Sequence, residues 1–333
     1  MQIDIKTTNV EPIRQTFAHV ARRLGADKPA SRYQEATLDV QSEANFHYRP
    51  LWDPQHELFD AERTAIKMED WYAFRDPRQY YYGTWTITRA RQQDSMERNF
   101  GFVEKRGLID DLSDELRAKV AEAMLPLRHI DYAANLNNTY IAAYGYGTAV
   151  TQTASYASMD RLGIAQYLSR LGLLLDGQSG DSLDAAKKAW MEDSMWQPLR
   201  KLAENMLTIE DWFELYVAQA FVLDGLMFPL IYDRFDAQLS RAGAAAIPML
   251  TEFMVDWDAE QNRVVNAFLK TASSESAENR AQLSQWAQQW AERCAEALRP
   301  LADHIFGEDG VTVIAELQQD LQQRGAKKCA LDM

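Results

Sequence analysis

From about Thr84 to the end of the chain, apolar residues recur every three or four positions, whereas residues 1–83 keep no such period. The clearest stripe runs from Ser276 to Phe306. It places Leu283, Trp286, Trp290, Cys294, Leu298 and Leu301 on one face of a long helix. The spacing predicts further helices over about 84–106, 113–143, 149–175, 208–235 and 246–271, one starting at Ser182 and interrupted near Pro198, and a short final one from Val313 to Arg324. Ser113 has the chemistry of an N-cap, and Thr208-Ile209-Glu210-Asp211 reads as a capping box opening the most apolar helix. Pro126 and Pro229 fall inside predicted helices. Each removes a backbone donor and should kink or break its helix. Long helices with few strand signals define an all-α bundle, and no repeat of 34 or 40 residues is evident.

The first 83 residues form a separate region. Five of the ten prolines lie there, Pro12, Pro29, Pro50, Pro54 and Pro77, together with a dense set of aromatics. A segment that cannot fold on itself but is rich in aromatics lies on another surface, either its own helical body or another subunit. We therefore expect an extended N-terminal arm over 1–83 and a helical domain over 84–333. The candidate interface residues are Phe46, Tyr48, Trp52, Trp71, Tyr80, Tyr81 and Tyr82.

Charge narrows the partners. The chain is 47% hydrophobic, enough for a large core, and its net charge of −14 disfavours nucleic acid and anionic membrane surfaces. The apolar run Tyr216–Tyr232 is interrupted by Gln219 and Asp224, so it reads as a buried helix rather than a membrane span. Residues 1–10 lack the apolar stretch of a signal peptide, and two cysteines, Cys294 and Cys329, do not make a disulfide framework. These features point to a cytoplasmic protein.

Several chemistries find no footing in the residues. Gly145-Tyr146-Gly147 lacks the third glycine and the preceding strand of a dinucleotide loop, and no phosphate-binding or Gly-x-Ser-x-Gly motif occurs. A bundle of long helices invites a carboxylate-bridged di-metal site, which takes Glu from two helices and Glu-x-x-His from two others. The i,i+3 spacing sets both ligands on one inward face. The five histidines are His19, His47, His56, His129 and His304, and none has Glu three residues before it. Asp53/His56 has the spacing but encloses Pro54, which reads as a turn.

Several stretches, in order along nearly the whole chain, resemble the beta subunits of bacterial multicomponent phenol and toluene hydroxylases. They are 76–83 (DPRQYYYG) continuing through Thr88-Arg89-Ala90-Arg91-Gln92, then 127–135 (LRHIDYAAN), 156–166 (YASMDRLGIAQ) and 227–232 (MFPLIY). The resemblance implies a ferritin-like (ribonucleotide-reductase-like) fold shared by alpha and beta subunits, of which only alpha keeps the metal. On this reading the former ligand positions are Asp131, Arg161 for Glu, Ile164 for His, Leu223 or Asp224, Trp257 for Glu and Glu260 for His. The segments beginning at Asp160 and Asp256 lie 96 residues apart, like two halves of a duplicated helix pair. Clustered carboxylates around an empty site would repel one another, so Ile164 and Trp257 would remove charge and fill volume, and Arg161 would pair with Asp131 or Asp224.

The resemblance further implies that this chain binds no cofactor and has no active site of its own. Di-iron would sit in the alpha partner, and FAD and a 2Fe-2S cluster in a reductase. Partners would be alpha and gamma subunits, two copies of each, with a regulatory protein, in an NADH-dependent aromatic monooxygenase. Two rival readings remain: a free-standing di-metal carboxylate oxidoreductase with histidine-free ligands among Asp131, Asp160, Asp224, Asp256, Asp258 and Glu260, and a helical protein that binds a small apolar ligand in its core.

Overall fold

The computed structural model describes residues 16–26, 28–41 and 49–333, and no strand occurs among them. Two short helices, α1 (Ala18–Leu24) and α2 (Arg32–Thr37), precede the body. Its helices are α3 (Tyr82–Arg106), α4 (Asp114–Met124), α5 (Leu127–Tyr144), α6 (Thr148–Leu175), α7 (Asp181–Glu192), α8 (Gln197–Met206), α9 (Trp212–Arg241), α10 (Ala246–Glu275), α11 (Ala277–Phe306) and α12 (Gly310–Arg324).

Local chemistry sets most boundaries. The Ser113 and Ser276 hydroxyls accept from the backbone N–H of Leu116 and Asn279 and open α4 and α11. Gly107, at φ 64°, ends α3 in the left-handed conformation that glycine adopts without a Cβ clash. One expectation needs correction. The cap of α9 is Asp211, whose carboxylate accepts from Phe213 and Glu214 N–H, while the Thr208 hydroxyl is turned back onto the Asn205 carbonyl. At Pro126 the expected kink or break is a break, which divides the predicted 113–143 helix into α4 and α5.

Pro229 has a different outcome. It cannot donate, yet α9 continues through it by widening to π-helical turns over Leu230–Phe235, with an earlier π stretch over Val217–Leu223. This helix is long and apolar enough to cross a membrane, but 89% of its apolar window is buried inside the protein. It is the central strut: α5, α10, α11 and α12 all pack against it, while α5 and α6 form a close pair beside it.

The arm is only partly an arm. Ile66, Trp71, Tyr72 and Phe74 belong to the main hydrophobic core. Trp71 packs at a tilt against Trp212 and Phe213, and Phe74 lies 4.6 Å from the Phe268 ring. The segment around 64–76 is thus sewn into the bundle.

Candidate functional site: a closed polar centre

Asp131 on α5, Arg161 on α6, Asp224 on α9 and Trp257 on α10 converge at the middle of the bundle. All four are at most 2% exposed, and Arg161 ranks among the largest fully buried side chains. The Arg161 guanidinium donates to Asp131 Oδ1 at 2.7 Å and pairs with Asp224 Oδ2. Its flat faces lie against Trp257 (4.6 Å to the ring) and Phe228 (4.9 Å), stacking that suits a desolvated guanidinium. Asn137 donates to Gln219 Oε1, and Gln219 Nε2 donates to Asp224 Oδ1, each at 2.9 Å. Residues five apart stand about 140° apart around an α-helix, so the Gln219–Asp224 contact depends on the π stretch between them.

One cation faces two carboxylates here, in a site that water does not reach. The surplus negative charge falls on Asp131, whose Oδ2 has no partner among the described residues. Burial pushes its carboxyl up to about 6, although Arg161 pulls the other way. Two neighbouring carboxyls are also raised by burial to about 7: Asp258, hydrogen-bonded to Asn262, and Asp236, which accepts from Thr251.

A second cluster begins one residue earlier on α6. Arg89 of α3 donates twice to Asp160, at 2.8 Å, and once to Glu260 of α10 at 2.8 Å. The indoles of Trp85 and Trp257 complete the shell of Asp160, at 3.1 and 3.0 Å. Arg78, buried against Asp76, stands 4.0 Å from Glu260. The Trp257 side chain therefore touches both clusters, its ring on Arg161 and its N–H on Asp160.

Of the residues singled out in the sequence, Asp131, Arg161, Asp224 and Trp257 are brought together. Of the Leu223/Asp224 alternatives, Asp224 is the residue at the centre, and Leu223 and Ile164 are packed in the apolar core. Glu260 turns to Arg89 rather than to Arg161. Sequence reading missed Arg89 as the organiser of the second cluster. An arginine on a helix with a low apolar period was the only available signal.

The donor set does not fit a di-metal centre. A guanidinium lies between the two carboxylates where a metal cation would have to sit, and an indole covers it. No imidazole approaches among the described residues. The histidine-free carboxylates do not converge either. Asp131 and Asp224 share Arg161, Asp160 and Glu260 share Arg89, and Asp256 is exposed. Among the described residues no group of three or more His, Cys, Asp or Glu could hold a metal ion.

The candidate interface aromatics divide. Trp71 is a correction: it is buried in the core described above. Phe46 and Tyr48 lie outside the described residues. Tyr80 and Tyr81 are half-buried, Tyr80 beneath Arg78 (4.6 Å). Trp52 and Tyr82 stay about 70% exposed, and Trp52 donates to Tyr144 Oη at the edge of a cleft of about 730 Å3 between the 52–67 loop and the ends of α5 and α9. Elsewhere, Tyr132, Leu136, Met159 and Leu162 are exposed on the α5–α6 pair.

Four long helices contributing one residue each to a buried centre, with an arginine clamped between carboxylates, define a ferritin-like helical protein whose central site is closed by ion pairs. The family model for methane, phenol and alkene hydroxylases matches residues 52–276, and the chain belongs to that family. It is 52% identical over 307 residues to phenol 2-monooxygenase oxygenase component DmpL of Pseudomonas sp. (strain CF600), covering 92% of each protein. It is 23% identical to the hydroxylase component subunit beta of the toluene-4-monooxygenase system of Ectopseudomonas mendocina, covering 86% of this chain and 90% of that one. The solved structure of xenon-pressurized phenol hydroxylase from Pseudomonas sp. OX1 superposes with a TM-score of 0.92, at 48% identity and over 99% of both chains.

Proposed function

We propose that this chain is the non-catalytic, beta-type subunit of a cytoplasmic phenol or toluene hydroxylase. It would pair with a homologous alpha subunit whose di-iron centre hydroxylates aromatic rings using oxygen and electrons drawn from NADH. The observation that carries the reading is the Arg161 clamp: positions that would hold metal carry a cation, an indole and an isoleucine. Phenol 2-monooxygenase and toluene-4-monooxygenase components among the relatives support the reaction class. The proposed assembly contains two alpha, two beta and two gamma chains. A regulatory protein and a reductase carrying FAD and a 2Fe-2S cluster serve it. Outside the 64–76 stretch that packs on its own bundle, residues 1–83 act as an arm toward alpha, with Trp52 and Tyr82 as exposed anchors.

Co-expression with an alpha candidate tests this. Iron should follow alpha in the purified complex, and this chain alone should take up none in stoichiometric amount and hydroxylate nothing. Stoichiometric iron or manganese in the isolated chain would overturn the reading, as would failure to co-purify with alpha.

A further inference from the structure

Helix α3 buries little. Of its 25 residues only Met96, Phe100 and Val103 are buried, so most of its surface faces solvent. Along that surface Arg91, Arg98 and Lys105 recur every seven residues. Seven residues advance about 10.5 Å and return within about 20° of the same direction, so the three cations form one straight stripe. None of them forms an ion pair with a described residue. The helix's remaining carboxylates do not neutralise them, because Arg170 draws Glu97 and Glu104 to the other flank. Only Asp94 lies on the stripe, and Arg106 adds a fourth cation, stacked 5.7 Å from the Phe102 ring. Two apolar side chains lie along the row, Ile87 before it at 54% exposure and Phe102 between Arg98 and Lys105 at 47%. Gly101 leaves a notch between them, with nothing within 4 Å of where its Cβ would stand.

We infer that the outer face of α3 is a docking site for an acidic protein segment that binds reversibly, presenting carboxylates at matching spacing against Arg91, Arg98 and Lys105 and apolar side chains against Ile87 and Phe102. Unpaired cations gathered on a chain of net charge −14 run against the general charge, and their complement is negative. Screening over about 8 Å at physiological ionic strength leaves the nearest charges to govern a partner in contact, and there the cations outnumber Asp94 and Glu252, the latter held by Asn99. Nucleic acid fits worse. Its phosphates carry one charge per about 1.7 Å of duplex axis, far denser than this row, and the whole chain repels them at range. The face also differs from the outer side of α5–α6, where Tyr132, Leu136, Met159 and Leu162 are apolar. Permanent contacts are the more apolar kind, whereas charged faces with few apolar anchors suit association that salt can reverse.

The test uses the full chain and fluorescently labelled poly-L-glutamate, read by anisotropy at low and physiological salt. Binding should weaken as salt rises, and the triple variant R91E/R98E/K105E should lose at least tenfold in affinity. F102S should lose affinity for a helical peptide bearing Glu every seventh residue and a Leu positioned against residue 102. Reversing three other exposed cations, Lys201, Lys270 and Arg293, makes the same change in net charge and should leave affinity within about twofold. Equal losses in the two triple variants would overturn the proposal, and so would tighter binding of a duplex oligonucleotide than of poly-L-glutamate. In the oxygenase reconstituted with its partner chains, Lys105 should remain open to acetylation. Protection there would assign this face to a permanent subunit contact and sink the proposal without touching the non-catalytic reading.

Discussion

Arg161 and Arg89 each hold two carboxylates, and Arg161 is the neighbour on α6 of Asp160, a partner of Arg89, yet the two triads are built on different terms. Around Arg89, Asp160 accepts from the arginine and from two indoles, and Glu260 has Arg78 as a second cation nearby. Around Arg161, Asp224 has an amide donor and feels the more distant Arg324 guanidinium, but one oxygen of Asp131 has no partner among the described residues. The outer cluster looks like an ion network selected to hold α3, α6 and α10 together. The inner one keeps a surplus charge in a dry core, which costs stability, and stabilisation alone gives no reason for it. A site inherited from metal-binding geometry and closed with minimal substitution does give one.

The largest expected effect breaks the inner triad. Arg161→Met leaves Asp131 and Asp224 buried without a cation, and should cost about 3–5 kcal/mol in urea unfolding at pH 8. The loss should shrink at pH 5.5, where the carboxyls can take up protons. Replacing all three residues together, with Leu at 131 and 224 and Met at 161, should recover most of the loss, because an apolar core of similar volume needs no compensating charge. A loss below about 1 kcal/mol for the single variant would mean that Arg161 compensates nothing.

The matching change outside, Arg89→Met, should cost less, about 2 kcal/mol. Asp160 keeps two indole donors and Glu260 keeps Arg78 at 4.0 Å, and the Arg89 side chain is already 11% exposed. If Arg89→Met proves the more damaging of the two, the comparison reverses and the outer network is the principal one.

How far the sequence could take this comparison is clear from particular residues. The resemblance put Arg161 and Trp257 on one inward face with Asp131 and Asp224, and a buried arginine needs carboxylate partners, so the inner triad was legible once the helices were phased. The choice between Leu223 and Asp224 was not. A π stretch before Asp224 shifts the face by part of a turn, and no period of 3.6 carries that information. The partner of Glu260 was not legible for a related reason: Arg89 lies on α3, whose thin apolar stripe gave no hint of which neighbour it packs against. Trp71 shows the same limit in the arm, where composition marked an aromatic surface without saying that the bundle itself covers it.

Acidity should separate the triads next. Asp131 titrates at about 6 when folded, above the ordinary carboxyl value of 3.8, so between about pH 4 and 6 the folded chain keeps a proton that the unfolded chain has released. The stability this contributes is full below the unfolded value and is lost as pH rises through 6. Asp236 and Asp258, at about 7, extend the loss toward neutrality. Unfolding free energy should therefore fall between about pH 4 and 7 and level off above that, each such group adding at most about 1.4 kcal/mol per pH unit. Asp131→Asn should flatten the lower part of that slope, measured by chemical denaturation at half-unit intervals. An unchanged slope would place the surplus charge on another group.

The finest effect concerns Trp257, which belongs to both triads. Trp257→Phe keeps a ring over Arg161 but removes the indole donor from Asp160, and should cost about 1 kcal/mol, since Arg89 and Trp85 still satisfy that carboxylate. Its diagnostic value lies in coupling. Side chains that share a partner fail to add, whereas independent sites add to within about 0.5 kcal/mol. With Trp257 present, the losses from Arg161→Met and Arg89→Met should depart from additivity by more than that margin, because removing either arginine shifts the indole the other cluster leans on. In the Trp257→Phe background the same two losses should add. Additivity in both backgrounds would make the triads two separate solutions to burying charge, and the neighbouring positions of Asp160 and Arg161 on α6 would carry no energetic consequence.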